Sequence, residues 1–463
     1  MEERDVIIIG GGPAGYAAAI RLSQLGRKAT VIEKEALGGT CLNRGCIPTM
    51  VLAKAAELLE QAKASKDFGI TFADPTIDFE KLKERKNRVV KILAGGVKSL
   101  MEAYTIEVIH GTAQFASPLE IEVARSDGER KLLAAKKVII ATGTTAAPTM
   151  LPGDTGRTID TQQLLELSVP PPSILILGGG LIGLTFATIF SCFGTTVTLV
   201  EASESLLPEI DQEVVDVIRR ELKKNKVQIF LGARVVRLDD GPEPEVELEA
   251  GGEKIRLKVS CVLRMERRPN IVGLGLEAVG IKLNELGGIW TDLTMETSLK
   301  SVFAAGDVTM KQSSTPVAYA EGMTAAENIA GKGTTMDYSA IPRWSNTIPA
   351  ICGAGMTEAE AIAKGYQVAI GKFPFSANGM ATVLGRRTGL IKVVADAKYG
   401  QVLGVHVAGH NAPELFHEAL LAMRSELTTA EIGHTFHVHP SLSEAFWEAA
   451  RAADGKSIHS FSP

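Results

Sequence analysis

The sequence predicts an α/β fold: two Rossmann-like βαβ nucleotide-binding domains followed by a C-terminal α+β domain. Three observations predict it. Residues 6–33 (VIIIGGGPAGYAAAIRLSQLGRKATVIE) and 174–201 (ILILGGGLIGLTFATIFSCFGTTVTLVE) align without gaps. Each reads as an apolar strand, a G-x-G-x-x-G turn, a helix, a Gly stop, a second strand and a Glu, the pattern of a βαβ unit. Such Gly-rich fingerprints stop after residue ~342, where strand-like and helix-like runs alternate instead. The third observation is length: 463 residues suffice for two to four domains at roughly 100–200 residues each.

Along the chain, the first βαβ unit is followed by helical segments at 50–63 and 79–103. Val169-Pro170-Pro171-Pro172-Ser173 reads as a stiff linker before the second unit. Ile174 to Gly194 carries no charge and is long enough to span a membrane. Gly178-Gly179-Gly180 would break such a helix near its start, and a buried strand and helix explain the run better. Glu245 to Glu249, Gly251-Gly252 and Ile255 to Val262 suggest a hairpin inside the second unit. Strands at 389–394 and 402–407 and helices at 413–424 and 441–452 make up the last domain. The expected division is 1–149 with 271–341, then 150–270, then 342–463.

Composition narrows the function classes. Forty-nine Lys+Arg against 54 Asp+Glu leave a formal charge of −5, which gives no electrostatic case for nucleic acid. Five Cys are no disulfide scaffold; they suggest a reducing, cytoplasmic setting with at most one special pair. Met1-Glu2-Glu3-Arg4-Asp5 lacks the basic start of a signal peptide. No membrane partner is expected.

The first fingerprint is Gly10, Gly12 and Gly15, with Glu33 eighteen residues after the last glycine. Its glycines serve the turn, the approach of backbone to pyrophosphate, and helix–strand packing; the acid can bind a ribose hydroxyl. The second is Gly178, Gly180 and Gly183, with Glu201 at the same spacing. Two copies imply two dinucleotides. Glu201 would accept from a ribose 2′-OH and repel a 2′-phosphate, and no Arg follows within 202–210, which favours NAD over NADP. Cys41 and Cys46 lie in Gly38-Gly39-Thr40-Cys41-Leu42-Asn43-Arg44-Gly45-Cys46-Ile47-Pro48. Residues five apart on a regular helix sit too far apart for a disulfide. The flanking glycines could permit an irregular approach, but spacing alone favours two buried, inert cysteines. His439 and Glu444, five residues apart, are general acid–base equipment or a helix start with Ser441 as N-cap and Glu444 closing a capping box. Cys192, Cys261 and Cys352 read as core residues. His434 and His437 read as surface or rim histidines, and no metal site is expected.

Together these motifs, with Ala141-Thr142-Gly143, Ala305-Gly306-Asp307-Val308 and the terminal HVHPSLSEAF, resemble the flavin-dependent pyridine nucleotide–disulfide oxidoreductases over essentially the whole chain. Within that family the dihydrolipoamide dehydrogenases match best. The resemblance implies FAD on the first fingerprint, helped by Thr40, Thr142, Gly143, Gly306 and Asp307, and NAD on the second. It implies a homodimer formed through the C-terminal domain. It implies that Cys41 is the interchange thiol, Cys46 the flavin-facing thiolate, His439 a base serving the other subunit, and Glu444 its orienter. Electrons would pass from dihydrolipoamide or a lipoylated carrier protein through Cys41–Cys46 and FAD to NAD⁺. The alternatives are another disulfide reductase, or a low-turnover flavoprotein that docks lipoyl domains.

The chain departs from the family pattern in three places. The family continues from the second Cys as Ile-Pro-Ser-Lys; here it is Ile47-Pro48-Thr49-Met50. The family Lys pairs with a Glu two residues after the last Gly of the second fingerprint, where this chain has Thr185. Losing one member would strand a buried charge at about 3–5 kcal/mol, whereas losing both can be nearly neutral. The family also has a Gly before Arg-x-Pro-Asn, where this chain has Glu266. These changes bear on nicotinamide use and flavin potential more than on FAD binding.

Overall fold

The computed structural model describes residues 2–148, 151–154, 158–239 and 245–460. The boundary expected at 149/150 lies outside the described residues, as do the last three residues of the terminal tail. The first unit runs β1 (Glu2–Ile9), α1 (Pro13–Gln24), β2 (Ala29–Glu33), α2 (Gly39–Arg44), α3 (Cys46–Ala64), α4 (Phe79–Ala103), β3 (Glu107–His110), β4 (Thr112–Ser117), β5 (Glu120–Ala124) and β6 (Arg130–Ile140). Its strands order as β3-β2-β1-β6-β5-β4, with Val302–Ala304 joining β6 from far along the chain. β1 pairs in parallel with both β2 and β6. Val6, Ile7, Ile8 and Ile9 are all buried, because a parallel strand covered on both faces must be apolar throughout.

The second unit runs β7 (Thr144–Ala146), β8 (Thr158–Ile159), α5 (Thr161–Leu165), β9 (Ser173–Leu177), α6 (Leu181–Cys192), β10 (Thr196–Val200), α7 (Gln212–Lys224), β11 (Gln228–Phe230), β12 (Ala233–Asp239), β13 (Glu245–Ala250), β14 (Glu253–Lys258), β15 (Cys261–Leu263) and β16 (Arg267–Pro269). Its parallel sheet orders as β11-β10-β9-β15-β8. β13 and β14 form the expected hairpin and add β12. The uncharged run is β9 plus α6. Helix α6 is apolar on all sides because its own sheet covers one side and α3 packs on it through Leu52, Ala53 and Ala56. Among the described residues no helix is long and apolar enough to cross a membrane.

β17 (Val302–Ala304) and α8 (Thr315–Ile329) return to the first unit, with α8 packed along α1. The C-terminal unit is antiparallel. It comprises β18 (Arg343–Ser345), β19 (Ala350–Gly355), α9 (Glu358–Ala363), β20 (Val368–Pro374), α10 (Gly379–Val383), β21 (Leu390–Asp396), β22 (Val402–Gly409), α11 (Ala412–Arg424), α12 (Thr429–His434) and α13 (Glu444–Ala453). Its strands order as β18-β19-β22-β21-β20.

A buried charge cluster welds this unit to the second. Lys392 Nζ on β21 lies 2.8 Å from Asp211, 2.6 Å from Glu358 and 3.5 Å from Glu213. Asp211 caps α7, and its backbone N–H also donates to Nδ1 of the fully buried His406 (3.4 Å). Burial works against the Asp211 carboxylate, yet Lys392 holds its carboxyl below the usual Asp range. That contribution to stability is present above the usual Asp range and fades on acidification through the depressed value. Replacing Lys392 with Met strands the buried Asp211 carboxylate, whereas Glu213 keeps Lys372 (2.7 Å), and we expect a loss of about 3–5 kcal/mol in denaturant unfolding at neutral pH. A loss below about 1 kcal/mol would contradict the weld.

Candidate active site

The first fingerprint is built by close backbone contact. Gly10 sits at φ +105°, and a Cβ there would lie 2.4 Å from the Ala141 carbonyl oxygen. A Cβ on Gly15 would lie 1.8 Å from the Gly10 carbonyl oxygen. Only glycine lets the N-terminus of α1 come this near the end of β1. Gly12 is different: a Cβ there would meet only Gly39 Cα, at 3.7 Å, so its outer face borders a groove. Glu33 is buried and accepts from Gly11 N–H (2.7 Å) and Glu35 N–H (2.7 Å). Thr142 and Gly143 follow β6, and their carbonyls accept from the Asn270 side-chain and backbone N–H groups. The Thr142 hydroxyl is buried and has no partner. An orphaned donor beside an open helix N-terminus fits a dinucleotide in this cleft.

Gly306 and Asp307 close the cleft after β17. Gly306 N–H donates to the buried Glu321 carboxylate (2.6 Å), which also accepts from Tyr338 (2.7 Å). Burial pushes the Asp307 carboxyl up, against the pull of the Arg267 guanidinium. Between those two, the Thr144 hydroxyl accepts from Arg267 Nε (2.7 Å) and donates to Asp307 (3.5 Å). Thr40 lies half-buried on α2, one residue before Cys41.

The second fingerprint repeats the construction. Gly178 sits at φ +101°, and a Cβ on Gly183 would lie 2.0 Å from the Gly178 carbonyl oxygen. A Cβ on Gly180 would meet nothing within 4 Å. Glu201 accepts from Gly179 N–H (2.6 Å) and Ser203 N–H (2.8 Å). Burial opposes its charge, but these N–H groups hold its carboxyl below the usual range.

The departures from the family pattern have structural partners. Thr185 is buried on α6 and shares a hydrogen bond with Ser345 (2.9 Å) on β18, while Asn346 N–H donates to it (3.2 Å). Met50 packs on the apolar cluster that also holds Leu184 and Phe186. Position 185 is thus tied to the C-terminal unit, and no uncompensated charge is left. Glu266 stands at the junction of the units, but its side chain is exposed, so its charge is solvated there.

The cysteines correct the expectation from spacing. Gly45 ends α2 and Cys46 begins α3, so the two Cys lie on different helices. Cys41 is half-buried and Cys46 exposed, and both are free thiols. Thr315 Oγ1, at the start of α8, lies 3.2 Å from Cys41 Sγ and 3.7 Å from Cys46 Sγ. Hydrogen bonding from Cys41 pulls the Cys46 thiol down, with burial opposing and Thr315 helping. The same pair interaction, plus burial, pushes Cys41 up. The pair interaction therefore favours the thiolate on Cys46, which also begins a helix. Sequence reading missed Thr315; the Ser313-Ser314-Thr315-Pro316 helix start was a signal for the helix, not for its target. Cys192 and Cys352 are buried as expected, whereas Cys261 is half-buried.

His439 and Glu444 form a pair, with Nδ1 2.8 Å from Glu444 Oε1. Glu444 Oε2 accepts from Ser441 N–H (2.8 Å). The orienting and helix-start readings are therefore both realised by one carboxylate, although the N-cap is Ser443 and not Ser441. Burial opposes the Glu444 charge, but His439 and the Ser441 N–H hold its carboxyl below the usual range. The His439 side chain is 80% exposed, beside exposed Phe436 and Val438. Nothing among the described residues connects it to the thiols of its own chain. His434 is exposed, while His437 pairs with Glu418 (3.2 Å). Among the described residues no cluster could hold a metal.

Residues 4–322 match the family described as pyridine nucleotide-disulphide oxidoreductase, and residues 341–450 match that family's dimerisation domain. The chain belongs to this family. Among curated relatives, a dihydrolipoyl dehydrogenase of Thermus scotoductus is 41% identical over 99% of both chains. One of Bacillus subtilis is 39% identical over 99% of both. Among solved structures, the HOCl-induced flavoprotein disulfide reductase RclA of Escherichia coli, as its Cu(II) complex, has a TM-score of 0.87 at 29% identity, over 97% of this chain and 99% of that one. LpdA of Mycobacterium tuberculosis has 0.89 at 25% identity, over 97% and 99%. This family member is a flavoprotein disulfide oxidoreductase. The family implies FAD and a nicotinamide dinucleotide, and the dimerisation domain supports a homodimer.

The two glycines of the second fingerprint should separate fold from binding. Gly183→Ala forces backbone apart and should cost about 1–3 kcal/mol of stability. Gly180→Ala should leave the melting temperature unchanged and weaken binding of a reduced nicotinamide dinucleotide, measured by fluorescence titration. A stable Gly183→Ala protein, or unaltered binding in Gly180→Ala, would contradict these assignments.

Proposed function

We propose that this protein oxidises a dihydrolipoyl group, free or on a lipoylated carrier protein, and passes the electrons to NAD⁺. The observation that carries the proposal is the dithiol. Two thiols from different helices meet at one hydroxyl, with charge drawn to Cys46. The roughly 40% identity to dihydrolipoyl dehydrogenases over the full chain supports the substrate class.

In this reading, residues 1–149 with 271–341 hold FAD, 150–270 hold NAD, and 342–463 form the dimer contact. Gly10, Gly12, Gly15, Glu33, Thr40, Thr142, Gly143, Gly306 and Asp307 hold FAD; Gly178, Gly180, Gly183 and Glu201 hold NAD. FAD bound there supplies two-electron transfer between the dithiol and the nicotinamide. Starting from the Cys41–Cys46 disulfide, one substrate thiolate attacks Cys41 Sγ. The Cys41–Cys46 bond breaks and its electron pair leaves on Cys46 as a thiolate. The substrate's second thiol loses its proton to His439 of the partner subunit and attacks the substrate sulfur bound to Cys41. That displaces Cys41 and completes the lipoyl disulfide. Glu444 fixes the imidazole by accepting at Nδ1, leaving Nε2 to take the proton. Glu201, already bonded to two backbone N–H groups, keeps lone pairs for a ribose 2′-OH and disfavours a 2′-phosphate.

A second reading is the reverse polarity, reduction of a disulfide by NADH. Likeness to RclA over 97% of the chain favours keeping it, and the same cysteines would serve. Dihydrolipoamide-dependent NAD⁺ reduction by the purified holoenzyme tests the first reading. We expect turnover that is abolished by Cys41→Ser and lowered about 10²–10⁴-fold by His439→Gln, with FAD content unchanged. Absence of dihydrolipoamide turnover in the wild type would overturn it.

A further inference from the structure

The scheme above leaves one polar group at the dithiol without a task. Thr315 Oγ1 is within hydrogen-bonding reach of both sulfurs, 3.2 Å from Cys41 and 3.7 Å from Cys46. It is the first residue of the fifteen-residue α8, whose start is capped by Ser314 accepting from Val317 N–H (3.4 Å). Cys46 is itself the first residue of the nineteen-residue α3. Two helix N-termini therefore converge on the sulfur pair, and each favours negative charge. Among the described residues, no Lys, Arg or His side chain donates to either sulfur. The ionisable groups that face the pair are Asp307, whose charge opposes a thiolate, and Tyr16 of α1, which is bonded to Tyr319 of α8 (2.6 Å). His439 of the partner subunit reaches the pair in the scheme above as the proton acceptor; within one chain the Thr315 hydroxyl is the side-chain donor in reach of both sulfurs.

Disulfide exchange makes a thiolate at each sulfur in turn. Cys46 leaves first, when substrate attacks Cys41; Cys41 leaves second, when the mixed disulfide is resolved. A stabilised thiolate is the better leaving group. A threonine hydroxyl can rotate its single proton between two acceptors without moving its oxygen.

We propose that Thr315 is a catalytic residue whose hydroxyl donates to Cys46 as that sulfur leaves in the first exchange and turns to Cys41 as it leaves in the second. It gives up no proton; its hydrogen bond follows the leaving sulfur. This rests on the reading of Cys41–Cys46 as the redox pair. The donor's position serves the two leaving sulfurs, while the proton released by the substrate goes to His439 of the partner subunit as in the scheme above.

The test is the pH dependence of iodoacetamide labelling at Cys41 and Cys46 in the reduced, FAD-containing protein, followed peptide by peptide by mass spectrometry. Removing a hydrogen bond to a charged sulfur should raise the labelling midpoint by about one pH unit in Thr315→Val. Thr315→Ser should restore the wild-type midpoint. Dihydrolipoamide turnover should fall roughly 10-fold in the Val variant and recover in the Ser variant. Thr315→Ala serves if the Val variant does not hold FAD. An unshifted midpoint at both cysteines in the Val or Ala variant overturns the inference, as does a Ser variant that behaves like Val. Failure of the dihydrolipoyl reading would show separately, as no wild-type turnover with the labelling shift still present.

Discussion

The site depends on the break in the chain at Gly45. In one continuous helix, five residues would separate Cys41 from Cys46 by ~7.5 Å along the axis and ~140° around it. Their thiols could not then share a partner. Gly45 instead ends α2 and lets α3 start at Cys46. A Cβ on Gly45 would lie 3.0 Å from the Thr40 carbonyl oxygen, so the close turn favours the smallest residue. The break also gives Cys46 a helix N-terminus, and α8 brings Thr315 to both sulfurs. The asymmetry between the thiols, lowered at Cys46 and raised at Cys41, comes chiefly from the hydrogen bond between them, which the break makes possible.

Around the dithiol, the protein uses the same device twice. Each fingerprint presses a helix glycine onto the carbonyl of the first glycine in its motif, leaving the middle glycine free at the groove. Rigid strand ends and helix starts then present N–H groups without side chains in the way. The two units differ in what ties them down. The second is bonded to the C-terminal unit by Thr185, Ser345 and Asn346 and by the Lys392 cluster. A helix that starts at the nucleotide groove is thereby fixed to the unit that carries His439. The absence of a Lys–Glu pair at positions 50 and 185 leaves no stranded charge, because Met50 and Thr185 are both uncharged and each has partners of its own kind.

Much of this was legible in the sequence. The repeat placed β1, α1 and β2 and again β9, α6 and β10, since buried parallel strands and glycine turns leave a local pattern. The uncharged stretch resolved into strand and helix for the same reason. The 245–258 hairpin followed from its glycine pair. The cysteines were not legible from spacing, because their approach depends on a backbone break and on a helix some 270 residues away. Thr315 and Lys392 were invisible for that reason too: each acts on residues far off in sequence. At Ser441 local chemistry pointed correctly to Glu444 but misplaced the cap by two residues, since the same carboxylate also orients His439.

The most direct test of the account is an anaerobic titration of the purified yellow holoprotein with NADH, followed in the visible spectrum. The account predicts two-electron reduction with a long-wavelength thiolate–flavin charge-transfer band, present in Cys41→Ser and lost in Cys46→Ser. Reduction of the flavin without that band, or no reduction by NADH at all, would contradict a relay in which Cys46 carries the charge between substrate dithiol and nicotinamide.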